Sequence, residues 1–155
     1  MRSSRSVIGF VLLGLAGIFP AQSSTNTNSF VVASSNVRNW LAMDRWGQAN
    51  QPKPYAEKLA FANVVSAMQP DVLSLQEVGS SKDLAEIVAL LRNNGLSYPH
   101  GEWVEGADPT RHVALLSRFP ITGRHSRTEY SYTIGTNIVG LSRGLLDVTI
   151  SVNDN

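Results

Sequence analysis

The residues with the clearest chemical potential are two oxygen-bearing side chains that each end an apolar segment. Glu77 closes the segment that begins with Val72–Leu75, and Asn36 directly follows Phe30–Ser35. If both segments are buried strands of one sheet, their side chains meet at one edge, where a carboxylate and an amide oxygen suit a hard cation such as Mg²⁺. The alternatives are an Asx turn at Asn36 and a solvated charge ahead of the next helix at Glu77.

Two helices and a second strand are predicted to position these residues. The first helix, Tyr55–Gln69, is bounded by prolines on both sides, and its apolar stripe comprises Tyr55, Leu59, Ala62 and Val65. The buried strand Asp71–Gln76 follows at once. The second helix begins after Ser80, with Asp83 placed to complete a capping box. The order strand, helix, strand, helix indicates an α/β protein.

From Leu96 the pattern changes to the two-residue alternation of strands. Four strands are predicted, at Tyr98–Val104, His112–Ser117, Ile121–Thr128 and Leu145–Val152. Segments rich in turn-forming residues are predicted as loops, at Leu41–Pro54, Gly106–Pro109, Arg118–Pro120 and Gly135–Gly140. The last strand is followed by Asn153-Asp154-Asn155, residues that usually introduce a partner strand.

The first 23 residues have the composition of a secretory signal peptide. Arg2 and Arg5 precede the apolar run Val7–Phe19, and small residues follow it. Because the run is shorter than the ~20 residues that span a membrane, residues 1–23 are interpreted as a peptide cleaved near Ser23, and 24–29 as a linker. The protein is therefore expected to be exported to the periplasm or the extracellular space, without a stable membrane anchor.

Composition narrows the classes of function. The chain of 155 residues contains no cysteine, which excludes disulfides and thiolate metal sites. Thirteen basic residues less Arg2 and Arg5 leave 11 against 12 acidic residues, so the exported chain is near neutral. It lacks the strongly basic character that supports avid binding of polyanions.

Five ordered segments resemble the endonuclease/exonuclease/phosphatase family, which includes deoxyribonuclease I, abasic-site endonucleases, inositol-phosphate phosphatases and neutral sphingomyelinases. They are Ser35–Asn39, Pro52–Pro54 with Glu57-Lys58, Pro70–Val78, His112–Ile121 and Ser142–Leu146. The resemblance implies that residues 30–155 are the N-terminal part of such a domain, a partial four-layered α/β sandwich of mixed sheets with flanking helices. It also implies a metal-dependent phosphoester or phosphodiester hydrolase of nuclease or phosphatase type, monomeric if complete. The substrate would be a nucleic acid, a phospholipid head group or a small phosphate ester.

The resemblance also implies roles for individual residues. By position, Asn36 and Glu77 match the ligands of a catalytic Mg²⁺ or Mn²⁺, and Arg143 matches a contact to a substrate phosphate. Arg118 matches a turn residue with an architectural role. The metal would polarise the phosphoryl group and stabilise the leaving oxygen while water attacks in line.

The rest of the family's active site has no counterpart in this sequence. A His that ends a later strand, an Asp-x-Asn segment and a closing Ser-Asp-His segment are all absent. His100, His112 and His125 are interpreted as ordinary surface or loop histidines, so no catalytic residue is assigned. The chain is therefore expected to be incomplete and to show no turnover by itself. Two alternatives stay open: an inactive fragment, and a secreted binding module that uses the loop between Trp40 and Trp46.

Overall fold

The computed structural model describes residues 29–152; the predicted signal peptide, residues 24–28 of the linker and the turn residues 153–155 lie outside that range. Ten strands and two helices occur within it. In chain order they are β1 (Val32–Trp40), β2 (Met43–Arg45), β3 (Gln48–Gln51), α1 (Tyr55–Met68), β4 (Val72–Val78), α2 (Ser81–Asn93), β5 (His100–Val104), β6 (His112–Ser117), β7 (Ile121–Arg124), β8 (Ser131–Ile134), β9 (Asn137–Gly140) and β10 (Val148–Ile150).

A four-stranded mixed sheet, in the order β1–β4–β6–β5, forms the centre of the fold. β1 and β4 are parallel, while β6 runs antiparallel to both of its neighbours. Leu73 and Leu75 of β4 are fully buried, which confirms the prediction of a buried strand there. The same prediction is wrong for the start of β1, where Phe30, Val31 and Val32 are all exposed. β1 is an edge strand of this sheet within residues 29–152, so one of its two edges has no partner strand there.

Both helices cover one face of this sheet. Ala62 and Val65 of α1 and Ile87 and Leu91 of α2 belong to the same core cluster as the central leucines of β4. α1 stops at Gln69, whose backbone is left-handed, and proline follows. α2 begins with the predicted capping box, in which the Asp83 carboxylate accepts a hydrogen bond from the cap residue's N–H at 2.6 Å.

The apolar stripe predicted for α1 is wrong in its first turn. Tyr55 is 70% exposed and Leu59 is exposed, whereas Lys58 is buried in their place. Lys58 tolerates burial because its ammonium group bonds the Glu86 carboxylate at 2.5 Å and lies 5.6 Å from the centre of the Trp40 ring. The ion pair with Glu86 therefore allows a lysine to be buried on the face where the sequence pattern predicts apolar side chains.

Of the segments predicted as loops, one contains a hairpin and another contains the turn and second strand of a hairpin. β2 and β3 pair across Trp46-Gly47 within Leu41–Pro54, and β8 and β9 pair across Gly135-Thr136 at the Gly135–Gly140 segment. Both turn residues of the first hairpin have positive φ, as a type I′ turn requires, and the second has a glycine with φ +61° at its first turn position. The strands of the first hairpin are largely polar, so hydrophobic alternation could not indicate them.

The remaining strands form a small antiparallel pair, β7 with β10. Both are shorter than predicted, although an isolated bridge between Arg127 and Leu145 continues their pairing. The second edge of β10 has no partner strand within the described range. Neither helix found between residues 29 and 152 combines the length and apolarity needed to cross a membrane. The described chain is thus a mixed α/β fold with more strands than helices.

Candidate functional site

The two side chains predicted as metal ligands lie on neighbouring parallel strands at the same end of the central sheet. Asn36 is opposite Gln76 in the β1–β4 register, and Glu77 is the next residue of β4. Asn36 Oδ1 accepts a hydrogen bond from the Arg38 N–H at 2.8 Å, and Glu77 Oε2 accepts one from the Asn39 N–H at 3.1 Å. Because these peptide groups are consecutive, with Cα atoms about 3.8 Å apart, the fold brings the two oxygens into one small region.

A bulge in β1 creates this arrangement. The register shifts so that residues 37–39 stand against Glu77 alone. Arg38, Asn39 and Glu77 all have left-handed backbones, with φ of +50°, +59° and +62°. That conformation costs a non-glycine residue roughly 1–2 kcal/mol. Bulges and strained residues of this kind are concentrated at functional sites.

Side chains from the following segment hold the bulge in place. The buried Lys53 donates to the Arg38 carbonyl at 3.2 Å, and Arg45 Nη2 donates to the Asn39 carbonyl at 2.8 Å. A strained backbone persists only where its surroundings fix it from several directions. The β2–β3 hairpin and the Pro52–Pro54 segment therefore act as a brace for the candidate site.

The alternatives to metal binding are partly realised at these two residues. Asn36 does form an Asx turn, because its Oδ1 bonds the N–H two residues on. An amide oxygen has two lone pairs, so one remains available. Glu77 is half-buried rather than a fully solvated charge, and within residues 29–152 no donor reaches its Oε1. Each side chain thus keeps acceptor capacity that the protein itself does not use.

Arg143 joins the same region through a chain of polar contacts. Asn39 Oδ1 accepts a hydrogen bond from Arg111 Nε at 2.6 Å. Arg111 Nη1 lies 3.6 Å from Asp108 Oδ2, and Arg143 Nη2 lies 3.4 Å from that same oxygen. Since the Asn39 N–H also bonds Glu77, the network runs from the candidate metal ligand to the candidate phosphate contact. Asn39, Arg111 and Asp108 were not predicted from the sequence.

Two glycines allow the backbone around Arg143 to approach the β5–β6 loop closely. A Cβ on Gly106 would lie 2.7 Å from the carbonyl carbon of Arg143, and a Cβ on Gly144 would overlap the Glu105 carbonyl oxygen. The Asp108 N–H also donates to the Ser142 carbonyl at 2.6 Å. The position of Arg143 is therefore fixed by backbone packing as well as by charge.

The guanidinium group of Arg143 is incompletely bonded. Its side chain is about one-third exposed, yet its Nε is buried and has no hydrogen-bond acceptor within the described residues. A buried donor without a partner costs about 1–3 kcal/mol. The exposed third of the side chain is open to an anion, which would form a charge-assisted hydrogen bond with the guanidinium group.

Asp108, which lies between the two arginines, is ionised at any pH near neutrality. Hydrogen bonds from the Thr110 N–H and hydroxyl, at 2.9 and 2.8 Å, are the main causes that lower the pKa of Asp108 from 3.8 to about 2. The Arg111 N–H and the charge of Arg143 add to this effect, and burial opposes it. The carboxylate is thus a permanent anion between two cations.

The donor set at Asn36 and Glu77 fits Mg²⁺ or Mn²⁺ with few protein ligands. Mg²⁺ commonly takes one or two carboxylates and keeps several waters or substrate oxygens in its shell. Within residues 29–152, no three His, Asp or Glu side chains form a group that could hold a metal by themselves. The protein would therefore supply a carboxylate and an amide oxygen, and water or substrate the rest.

The interpretation of His112 as a surface or loop histidine is wrong. His112 lies on β6 and is 7% exposed, with its Nδ1 2.7 Å from the Gly79 carbonyl and its ring against Trp103. A carbonyl only accepts, so Nδ1 carries the proton. His100 is half-buried at the start of β5, and His125 is exposed.

Trp40 and Arg118 both have structural contacts. Trp40 is fully buried and donates from Nε1 to Glu86 at 2.9 Å, so it is not available to a ligand as the binding-module alternative assumed. Trp46, in contrast, is 79% exposed. Arg118 lies in the turn after β6, where its guanidinium bonds Asp71 at 3.2 Å and Gln69 at 3.0 Å. These contacts agree with an architectural role for Arg118.

Comparison with solved structures gives a distant likeness. No family model matches the chain, and no curated protein matches it significantly. Among solved structures, a beta-hairpin deletion mutant of beta toxin from Staphylococcus aureus is similar, with 14% identity and a TM-score of 0.40 over 73% of this chain. The chain spans about half of that structure, 49% of its length. A likeness this distant carries no argument about site or function.

Proposed function

We propose that this chain carries the metal-binding and phosphate-binding part of a phosphoester hydrolase of the deoxyribonuclease I type. One observation carries the proposal: the side-chain oxygens of Asn36 and Glu77 accept hydrogen bonds from consecutive peptide groups of a strained bulge, and a continuous polar network joins that bulge to Arg143. A metal ion and a cationic donor that act on the same phosphate are what phosphoryl chemistry uses.

The three residues divide two roles in this proposal. Glu77 and Asn36 hold Mg²⁺ or Mn²⁺, which supplies charge stabilisation at a phosphoryl oxygen when bound. Arg143 binds and orients the substrate phosphate through its unused guanidinium donors. The bulge keeps the two oxygens at a fixed separation, so that little ordering is needed when substrate binds. No residue of this chain is assigned as the base that activates water.

The wider features of the protein are part of the same proposal. The central sheet with its two helices would be one half of a four-layered sandwich. The protein would be exported, act as a monomer once its fold is complete, and take a nucleic acid, a phospholipid head group or a small phosphate ester as substrate. The near-neutral charge of the exported chain supports a small or locally bound phosphate over avid polyanion binding.

Titration of the full chain with Mn²⁺, followed by the loss of the free-ion electron paramagnetic resonance signal, tests the metal site. We expect one weak site in the wild type, a loss of at least about tenfold in affinity in Glu77→Gln, and a smaller loss in Asn36→Ala. Glu129→Gln is the matched control, because Glu129 is exposed and lies outside the network. Equal Mn²⁺ affinity in the wild type and Glu77→Gln would refute the assignment.

A further inference from the structure

We propose that Asp108 is a positioning residue that orients Arg143 for phosphate and, through Arg111, ties that arginine to the bulge that carries Glu77. The inference rests on the proposed role of Arg143 in binding phosphate. Among the described residues, the Asp108 carboxylate makes no hydrogen bond to Asn36 or Glu77. The carboxylate would act through the two guanidinium groups.

The geometry of the Asp108 carboxylate supports this role. Oδ1 accepts three hydrogen bonds from its own loop: from the Thr110 N–H, the Thr110 hydroxyl and the Arg111 N–H, at 2.9, 2.8 and 3.2 Å. Those bonds prevent the carboxylate from rotating and direct Oδ2 towards the two arginines. The Asp108 side chain is only 16% exposed, so water competes poorly for Oδ2. A rigid anion therefore holds both guanidinium groups.

The guanidinium group of Arg143 has polar contacts at its two Nη atoms but no acceptor at Nε. Its Nη2 is 3.4 Å from Asp108 Oδ2, and its Nη1 donates to the Ser142 hydroxyl at 3.3 Å. Its Nε remains buried without an acceptor. A guanidinium group has five donors in a fixed plane, so anchoring the Nη end determines where the Nε–H points. Without Asp108, the side chain could turn that donor towards water.

Arg111 connects Asp108 to the bulge that lies against the candidate metal ligand Glu77. Arg111 Nη1 is 3.6 Å from Asp108, and Arg111 Nε donates to Asn39 at 2.6 Å. Asn39 is the bulge residue whose N–H bonds Glu77. One carboxylate thus links the candidate phosphate contact to the candidate metal ligand, although the two come from distant parts of the chain.

A purely electrostatic role for Asp108 predicts the opposite result from a positioning role. If Asp108 only neutralised two arginines, removing its charge would strengthen the binding of an anion. If it orients Arg143, removing the charge weakens binding although the net charge becomes more favourable. The sign of the change in phosphate affinity therefore separates the two roles.

Isothermal titration calorimetry of the full chain with inorganic phosphate, without divalent metal, shows whether the loss of the Asp108 charge weakens or strengthens phosphate binding. We expect Asp108→Asn to weaken phosphate binding by about tenfold and Asp108→Glu to restore part of the loss. Asp147→Asn removes the same charge from an exposed side chain that makes no polar contact within the described residues, and should change nothing. Unchanged or tighter phosphate binding in Asp108→Asn would overturn the inference.

Relaxation of the arginine Nε–Hε groups, measured by ¹⁵N NMR, tests the positioning itself. In the wild type, Arg143 and Arg111 should be much more ordered than the exposed Arg92 of α2, and Asp108→Asn should release both. Mobility of Arg143 equal to that of Arg92 in the wild type would refute the inference. If the wild type binds no phosphate, the proposed role of Arg143 fails and the functional half of the inference with it, while retained order would still establish the anchor.

Discussion

The two ends of strand β4 each carry a carboxylate, and the two differ in how completely they are bonded. At the start, Asp71 uses both oxygens: Oδ2 accepts the Val31 N–H at 2.8 Å, and Oδ1 accepts from Arg118 at 3.2 Å. At the other end, Glu77 uses one oxygen for a single N–H and lies in a strained backbone conformation. A carboxylate with both oxygens engaged holds segments of the fold together, whereas one with an unbonded oxygen is available to a ligand.

The surroundings of the two carboxylates reinforce the contrast. The backbone of Asp71 bonds Val31, which directly precedes β1, and its backbone and side chain both bond Arg118 in the turn after β6. Asp71 therefore joins three segments of the chain. Glu77 is bonded only to the bulge, whose backbone is held by Lys53 and Arg45. Removing Asp71 should therefore loosen the fold, and removing the charge of Glu77 should alter binding instead.

The largest expected effect on stability is that of Asp71→Ala. The substitution removes the bonds that Asp71 accepts from the exposed Val31 N–H and the partly exposed Arg118 guanidinium, which should lower the free energy of unfolding by about 1 kcal/mol. Urea unfolding of the full chain, followed by tryptophan fluorescence, measures this. Asp71→Asn, which keeps an acceptor for Val31, should lose about half as much. A loss in Asp71→Ala no greater than that in Glu77→Gln would remove the distinction between the two ends.

Local signals explain what the sequence could predict. The apolar run of β4, the proline-bounded helix α1 and the Ser80 capping box all depend on residues within a few positions of one another, and all three elements are present. Burial of His112 also has a local signal in the sequence. On β6 it shares a face with Ala114 and Leu116, both of which lie in the core.

The polar network could not be predicted because it depends on distant residues. Arg111 meets Asn39 across 72 positions of the chain, and nothing near either residue indicates the other. The sequence does not indicate the β1 bulge either, because its register shift depends on pairing with β4 and on contacts from the β2–β3 hairpin. The sequence could therefore indicate the candidate ligands but not the contacts that connect them.

Acid should weaken the network around Asp108 before it affects neutral parts of the fold. The folded pKa of Asp108, about 2, lies below its ordinary value of 3.8, so its contribution to stability is complete above pH 3.8. That contribution declines as the pH falls from 3.8 towards 2 and is lost below. The free energy of unfolding of the wild type should fall more steeply across this range than that of Asp108→Asn. Parallel pH profiles would show that Asp108 gains nothing from its partners in the folded state.

The smallest expected change in stability is that of Glu77→Gln, and it is the most informative about the end of β4. Glutamine retains an oxygen that can accept the Asn39 N–H, and the exchange alters neither the length of the side chain nor the backbone strain. We therefore expect the free energy of unfolding to change by less than about 0.5 kcal/mol, while Mn²⁺ affinity is lost. Urea unfolding of the two chains in parallel checks the first part. A loss comparable to that of Asp71→Ala would mean that Glu77 is a structural carboxylate like Asp71, held by bonds that glutamine cannot reproduce.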